Sequence, residues 1–309
     1  MLLLLLRRVA AAVGVLFLIS FATFALLTMA PGDAAEVLVG ETADQDQLEA
    51  LRQALGLDQS LPVRFAQFTK NVLLYGDLGN SLMYGRPVSD LIAARFPYTF
   101  KLALVSMLVA TLLGTCTGWL AAAYPYGKLD ALLMSISALG MAFPNYWLAL
   151  LLIGLFSVML GWLPVVGAGS PVHFILPAAC LALPMAAGLA RMTRSSLLDV
   201  KYQDYIRTAH SKGAGVGRVW RLHIWRNALI PVITMIGLHL GHLLSGTFII
   251  ETIFSWPGLG RLVTQAVFSR DYPLVVGAVV AFTVSFQVIN LLVDLLQALL
   301  DPRIGKGVV

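Results

Sequence analysis

Six apolar stretches, at 9–29, 100–123, 131–160, 173–190, 229–253 and 275–299, dominate this chain. About 20 residues of helix, rising 1.5 Å each, cross the ~30 Å hydrocarbon core of a bilayer. A backbone in hydrocarbon must satisfy its own N–H and C=O groups, so the stretches are predicted to be helices and the fold class to be all-α and polytopic. Composition agrees, because 59% of the 309 residues are apolar and only 12% are charged, less than half the usual share for a soluble domain. The first stretch follows MLLLLLRR and ends in APGD at 30–33 without a small-residue cleavage pattern. It is read as a retained span that starts in the cytoplasm, with Arg7 and Arg8 at its inner end, rather than as a signal peptide.

Charge orients these spans. The net charge is +5, and the 191–227 interval alone carries eight Lys or Arg against two Asp, which is what a cytoplasmic loop requires and calls for no nucleic-acid partner. Six spans place this loop and Lys128 of the 124–128 loop inside, and the uncharged 161–171 loop outside. The predicted division is a cytoplasmic end and first span at 1–29, a small helical extracytoplasmic insertion at 30–98, a five-helix core at 99–299 and a cytoplasmic tail at 300–309. Within the insertion, Leu48, Leu51 and Leu55 mark a helix over 46–55 stopped by Gly56. Ser60 as N-cap and Pro62 open a second helix to Tyr75, with Phe65, Phe68 and Val72 as its apolar stripe. GDLGNS at 76–81 is turn material. Pro144 and Pro184 are expected to bend the third and fourth spans, and Gly114 with Gly118, and Gly237 with Gly241, to allow close helix contact.

The 191–227 interval is the one long polar stretch in the chain's apolar part. Two short helices are predicted in it, over 202–212 and 216–225, hinged by Gly213, Gly215 and Gly217. The second puts Val219, Leu222 and His223 on one side and Arg218, Arg221 and Trp225 on others. Such a basic elbow is either a membrane-interface anchor or a docking surface.

Catalytic patterns are missing: the sequence has no GxxxxGK[ST], HExxH or GxSxG and no acidic metal cluster. Cys116 and Cys180 are read as buried small hydrophobes. His239 and His242, three apart, suit packing or backbone hydrogen bonding, with pore lining or a metal or proton role as alternatives. Asn145, Ser245, Thr247, Glu251, Gln287, Asn290 and Asp294 are polar groups within spans, and they define a candidate polar path. Glu251 and Asp294 lie near span ends and fit an interfacial position equally well.

LGLDQSLP at 55–62, GDLGNS at 76–81, GWLPVVG at 161–167, RSSLLDV and DYIRTAHSKG within 194–213, RNALIPVIT at 226–234, ETIFSWPGLGRL at 251–262, RDYPLV at 270–275 and NLLVDLLQALLDPRI at 290–304 form, with APGD, an ordered set. With them the chain resembles, over essentially its whole length, the first of the two permease subunits of peptide-type ABC importers. That group handles dipeptides, oligopeptides, glutathione and nickel complexes. The resemblance implies a type I ABC importer transmembrane fold in a bacterial inner membrane, with both termini cytoplasmic. Its implied partners are a second homologous permease, two cytoplasmic ATPases, an extracytoplasmic solute-binding protein and lipid. It implies no enzyme activity and no cofactor on this chain, ATP and Mg residing on the ATPases.

The family's loop between its fourth and fifth core spans carries a Glu-Ala-Ala, three residues, Gly pattern whose short helix fits a groove on the ATPase. Here Arg207, Thr208, Ala209 and Gly213 occupy those positions, so only the last Ala and the Gly match; Arg207 in place of the acid resembles the peptide subgroup's variant and argues against an acidic contact from that position. ATPase coupling is therefore expected from 204–225, with Arg218 and Arg221 contributing. APGDA also departs from the usual APGDP, Ala34 replacing a turn proline, and Ser60 stands where proline is common. SWPGLG at 255–260 reads as a re-entrant turn and candidate periplasmic gate, Trp256, Pro257, Gly258 and Gly260, against a plain interface loop anchored by Trp256.

Dipeptides or short oligopeptides are the expected solutes, with glutathione or a nickel chelate as alternatives; no Cys, His and carboxylate cluster favours bare nickel. From other classes, an ion-coupled secondary carrier would transport alone and often show two pseudo-symmetric halves. A non-transporting scaffold would not transport at all.

Overall fold

The computed structural model describes residues 2–29, 34–39 and 44–300. APGD at 30–33, the tail from 301 and the side chain of Ser245 lie outside the described residues. In chain order the helices are α1 (Leu2–Met29), α2 (Ala34–Val39), α3 (Gln45–Ala54), α4 (Leu61–Tyr75), α5 (Val88–Ala123), α6 (Lys128–Ala142), α7 (Asn145–Leu152), α8 (Ile175–Lys201), α9 (Asp204–Ser211), α10 (Val216–Val219), α11 (Trp225–Gly246), α12 (Phe248–Ile253), α13 (Leu259–Phe268) and α14 (Tyr272–Leu300). Five helical segments are long and apolar enough to span a membrane, and the bent pair α6 and α7 makes a sixth if counted as one span. The third span expected at 131–160 is thus not one rod. Phe143 and Pro144 break it with a bend of 102°, because Pro144 cannot donate its N–H and pushes Phe143 into an extended conformation.

The chain divides into two compact units, 1–99 with 257–287 and 100–256 with 288–309. In the first, α1 exposes most of its apolar surface, as a lipid-facing helix should. It is fastened to α4 by Phe17, Phe21 and Phe24, which meet the ring of Phe65 at centroid distances of 5.1, 5.1 and 5.9 Å. The extracytoplasmic loop between the first two spans is large, with three helices of its own rather than the small insertion expected. α3 and α4 end close to their predicted positions, Gly56 and Gly76 adopting φ of +65° and +64°. Ser60 stands at the predicted N-cap of α4 but makes no side-chain capping bond. A second apolar cluster joins Val88 and Leu91 of α5 to Leu259, Leu262 and Ala266 of α13 and Leu274 and Val275 of α14. α5 begins at Val88, earlier than the expected 100, and carries Pro97 inside it.

α8 is the axis of the second unit, packed by α6, α7 and α11. Its long buried stripe includes Leu176, Cys180, Leu189 and Leu197. α5 lies against it through the expected small residues. A Cβ on Gly114 would stand 2.6 Å from Leu189 Cβ, and one on Gly118 2.6 Å from Thr193 Cβ, distances that real side chains do not tolerate. Gly237 of α11 is similarly closed by Val293. Pro184 and Pro231 sit inside α8 and α11. Cys180 is buried as expected, whereas Cys116 is exposed, on the side of α5 that α8 does not cover.

Candidate functional site

The 204–225 segment is built on three apolar anchors. Ile206, Val219 and Ile224 are buried with Leu197, Leu198, Ala122 and Ala228 in a small core, so the segment is pinned to the end of α8 and not left as a solvated coil. Of the three predicted hinge glycines only Gly213 has a positive φ, +82°. Its N–H donates to His210 O at 2.9 Å and the next N–H to Ala209 O at 3.2 Å, closing α9. A Cβ at Gly213 would meet open space, so a substitution there strains the backbone rather than crowding a neighbour. The second predicted helix is not a separate piece. α10 passes through a π-helical turn, Trp220–Ile224, straight into α11. Arg207, Thr208, Arg218 and Arg221 are exposed and Ala209 is half-buried. None of the three arginines makes an ion pair with a described residue.

Beside this segment lies a pair that the sequence reading passed over. Arg194, in α8, forks onto Asp130 at the start of α6, Nε to Oδ1 and Nη2 to Oδ2 both at 2.6 Å. Asp130 Oδ2 also accepts the Tyr126 N–H at 2.8 Å, and Tyr126 holds a left-handed φ of +63°, a conformation costing a non-glycine residue roughly 1 kcal/mol or more. The carboxylate side chain is only 5% exposed. Two parallel charge-assisted bonds fix orientation as well as distance. With 64 positions between the partners, the sequence offered one hint: a lone acid at the very edge of an apolar block.

The 255–270 segment is bounded by two non-glycine residues at positive φ, Ser255 at +48° and Arg270 at +54°. Trp256 is not an interface anchor. It is fully buried in the second unit, edge-on to Phe174 with centroids 4.5 Å apart. Pro257, Gly258 and Gly260 belong to the first unit, where Gly258 is the N-cap of α13 and Gly260 is buried. The Leu259 N–H donates to Thr99 Oγ1 at 2.8 Å. Just beyond, Asp271 is completely buried. Its Oδ2 accepts the Ser81 hydroxyl and the Met83 N–H at 3.1 Å, while Oδ1 takes the Leu274 N–H at 3.3 Å. This carboxylate knots the loop after GDLGNS to the start of α14, and it too went unread. The first unit also holds an open cleft of about 280 Å³, with Arg64, Gln67, Asn71, Asp77 and Tyr272 among its lining.

The candidate path residues do not converge. Thr247 and Glu251 are buried in the second unit and joined, Thr247 Oγ1 donating to Glu251 Oε1 at 3.0 Å, so Glu251 is not interfacial. Asn145 is exposed at the start of α7, whereas Gln287, Asn290 and Asp294 are half-buried along α14. His239 packs with Met235 against Gly188, and its buried Nε2 makes no hydrogen bond to a described residue; His242 is exposed. Among the described residues no three His, Cys, Asp or Glu gather as a metal site.

Comparison with known proteins gives these features a context. Residues 114–306 match the family described as binding-protein-dependent transport system inner membrane component, and residues 1–103 its N-terminal counterpart. The chain is 44% identical over 298 residues to the glutathione transport system permease protein GsiC of Escherichia coli K12, covering 96% of this chain and 97% of that protein. The protein of the same name from Pectobacterium atrosepticum is 43% identical over the same span. Among solved structures, an amino acid ABC transporter aligns with a TM-score of 0.55 at 18% identity, covering 68% of this chain and 94% of that one. The inward-facing methionine transporter MetNI aligns with a TM-score of 0.55 at 17% identity, covering 68% and 96%. These two share the fold.

Proposed function

This chain belongs to the binding-protein-dependent transport system inner membrane component family and is one permease half of an ABC importer that couples to cytoplasmic ATPases; we propose that its solute is glutathione or a closely related short peptide. The observation carrying this reading is the 44% identity to a glutathione permease over nearly the whole chain. It favours the glutathione alternative over the dipeptide reading that motif order alone suggested. The importer would comprise this chain, a second permease, two ATPases and an extracytoplasmic binding protein, with both of this chain's termini cytoplasmic.

Within that assembly the 204–225 segment docks the ATPase. Its apolar anchors, the left-handed Gly213 and the exposed Arg207, Thr208, Arg218 and Arg221 support this role, since a docking element needs a rigid base and an unpaired charged face. The 255–270 segment, which carries α13 between its two left-handed ends, is the periplasmic gate, supported by those ends and by the buried Gly260. Closure of the ATPases then rocks the spans between two states, each with its own set of contacts.

The substrate test is uptake into vesicles carrying the complete importer and its binding protein, with labelled glutathione and a labelled dipeptide in parallel. Glutathione uptake at least ~10-fold above dipeptide, the margin a site built around polar substrate groups readily supplies, upholds the reading. Equal or inverted preference sinks it. Uptake by this chain alone, driven by an ion gradient without ATPases, would instead make it a secondary carrier.

A further inference from the structure

We propose that the Asp130–Arg194 pair is a transmission clamp: it makes α6 and α8 move as one body with the docking segment, so that ATPase motion reaches the spans instead of being absorbed by the end of α8. The inference rests on the docking reading of 204–225 and extends it to two positioning residues outside that segment.

First, Arg194 lies seven positions before Lys201, the last residue of α8, roughly 10 Å along the axis at 1.5 Å per residue. A displacement of α9 therefore enters α8 within two turns of the pair. Second, the same turn of α8 is jammed against α5. Gly118 has no room for a Cβ because Thr193 Cβ would stand 2.6 Å away and Arg194 N 3.1 Å away. Third, Asp130 is the first acid of α6 and binds Arg194 through both oxygens while Oδ2 also holds the Tyr126 N–H. The fork resists rotation of α8 about its axis, which apolar packing on this small-residue surface would not. Arg194 also lies 6.0 Å from the centre of the Tyr126 ring, so the loop between α5 and α6 is gathered into the same cluster. Three helices thus meet at the turn where a push from the docking segment arrives.

A clamp and a merely structural ion pair predict different failures. Loss of a clamp leaves ATP hydrolysis running while solute movement falls, because the motors close without turning the spans. Loss of a structural pair lowers abundance, hydrolysis and uptake together. The experiment uses the complete importer in vesicles with its binding protein, carrying Asp130→Asn, Arg194→Gln or Arg194→Lys. Solute moved per ATP hydrolysed is measured beside ATPase co-purification. The expected result is a fall in that ratio of roughly tenfold or more for Asp130→Asn and Arg194→Gln, within the range of typical coupling free energies, because without the fork α6 no longer follows α8, with ATPase still bound. Arg194→Lys, which keeps the charge and loses the fork, should recover part of the ratio. The double change Asp130→Asn with Arg194→Gln leaves no orphan charge and answers the question if a single change lowers membrane abundance. An unchanged ratio in assembled complexes, or a proportional fall in hydrolysis and uptake, overturns the clamp. Gly213→Asp separates the two readings: if it alone lowers recruitment or coupling, docking at 204–225 stands and the clamp falls; if it too leaves both normal, the docking reading has failed.

Discussion

Two polar regions of this molecule solve opposite problems. Around Asp271 the chain buries a carboxylate completely and satisfies it from within, with a hydroxyl and two backbone N–H groups. Along 204–225 it does the reverse, burying Ile206, Val219 and Ile224 and leaving Arg207, Arg218 and Arg221 exposed without an ion pair to a described residue. A buried polar group must be paired by its own chain or the fold loses free energy. An exposed guanidinium carries no such demand and is free to meet a partner. The first region is finished in the isolated chain, and on the proposed docking reading the second is completed by the ATPase.

The sharpest break in this contrast should come from Asp271→Ala. It orphans the buried Ser81 hydroxyl, at about 1–3 kcal/mol, takes away a partner of the half-buried Met83 N–H, and removes the cap of α14. Thermal unfolding in detergent should fall by roughly 5 °C or more, with ATPase binding by the surviving protein unchanged. A thermal midpoint within a degree of the parent would mean the knot is not what holds the GDLGNS loop.

Replacing Arg207, Arg218 and Arg221 together by Glu should invert this pattern. Exposed positions contribute within about 0.5 kcal/mol each, so unfolding should barely shift, while affinity for the ATPase falls about tenfold and becomes less salt-dependent. If the segment were only a membrane anchor, liposome binding would weaken instead and ATPase affinity would hold.

The smallest effect is expected at Thr193, whose buried hydroxyl has no hydrogen-bond partner among the described residues. Thr193→Val keeps the shape and removes that orphan, so stability should stay level or rise by up to about 1 kcal/mol. A loss of more than this, read by the same unfolding measurement, would reveal a partner for the hydroxyl in the assembled importer.

What could be read from the sequence followed local physics. The ends of α3 and α4 were legible because Gly56 and Gly76 are stop signals in their own right, and Gly213 because a glycine between two helical patterns asks for a left-handed turn. Span positions followed from hydrophobic length. The errors were nonlocal or came from competing signals. α5 starts at Val88 because its first turns pack on α13 and α14, although Asp90, Arg95 and Pro97 make that stretch read as loop. The bend expected at Pro144 is present, but its size of 102° was not legible, because α7 also packs on α8 and α12. Whether Trp256 belongs to a re-entrant turn or anchors an interface loop stayed open in the sequence, because Phe174, which covers it, is far away in the chain. Asp130 with Arg194 and Ser81 with Asp271 are separated by 64 and 190 positions, and no periodicity connects such partners. The candidate path residues are scattered, Asn145 exposed on α7 and Gln287, Asn290 and Asp294 half-buried along α14, and nothing in their sequence spacing connects them.

The central claim is that a rigid elbow at Gly213 joins this permease to its motor, and it is tested most directly by Gly213→Asp in the complete importer. Membrane abundance should be normal, because a side chain at this position meets open space. Co-purified ATPase, or solute-stimulated hydrolysis together with uptake, should fall at least about tenfold as the φ of +82° becomes unfavourable and the basic face gains an opposing charge. Normal recruitment with normal stimulated hydrolysis and normal uptake would contradict the claim.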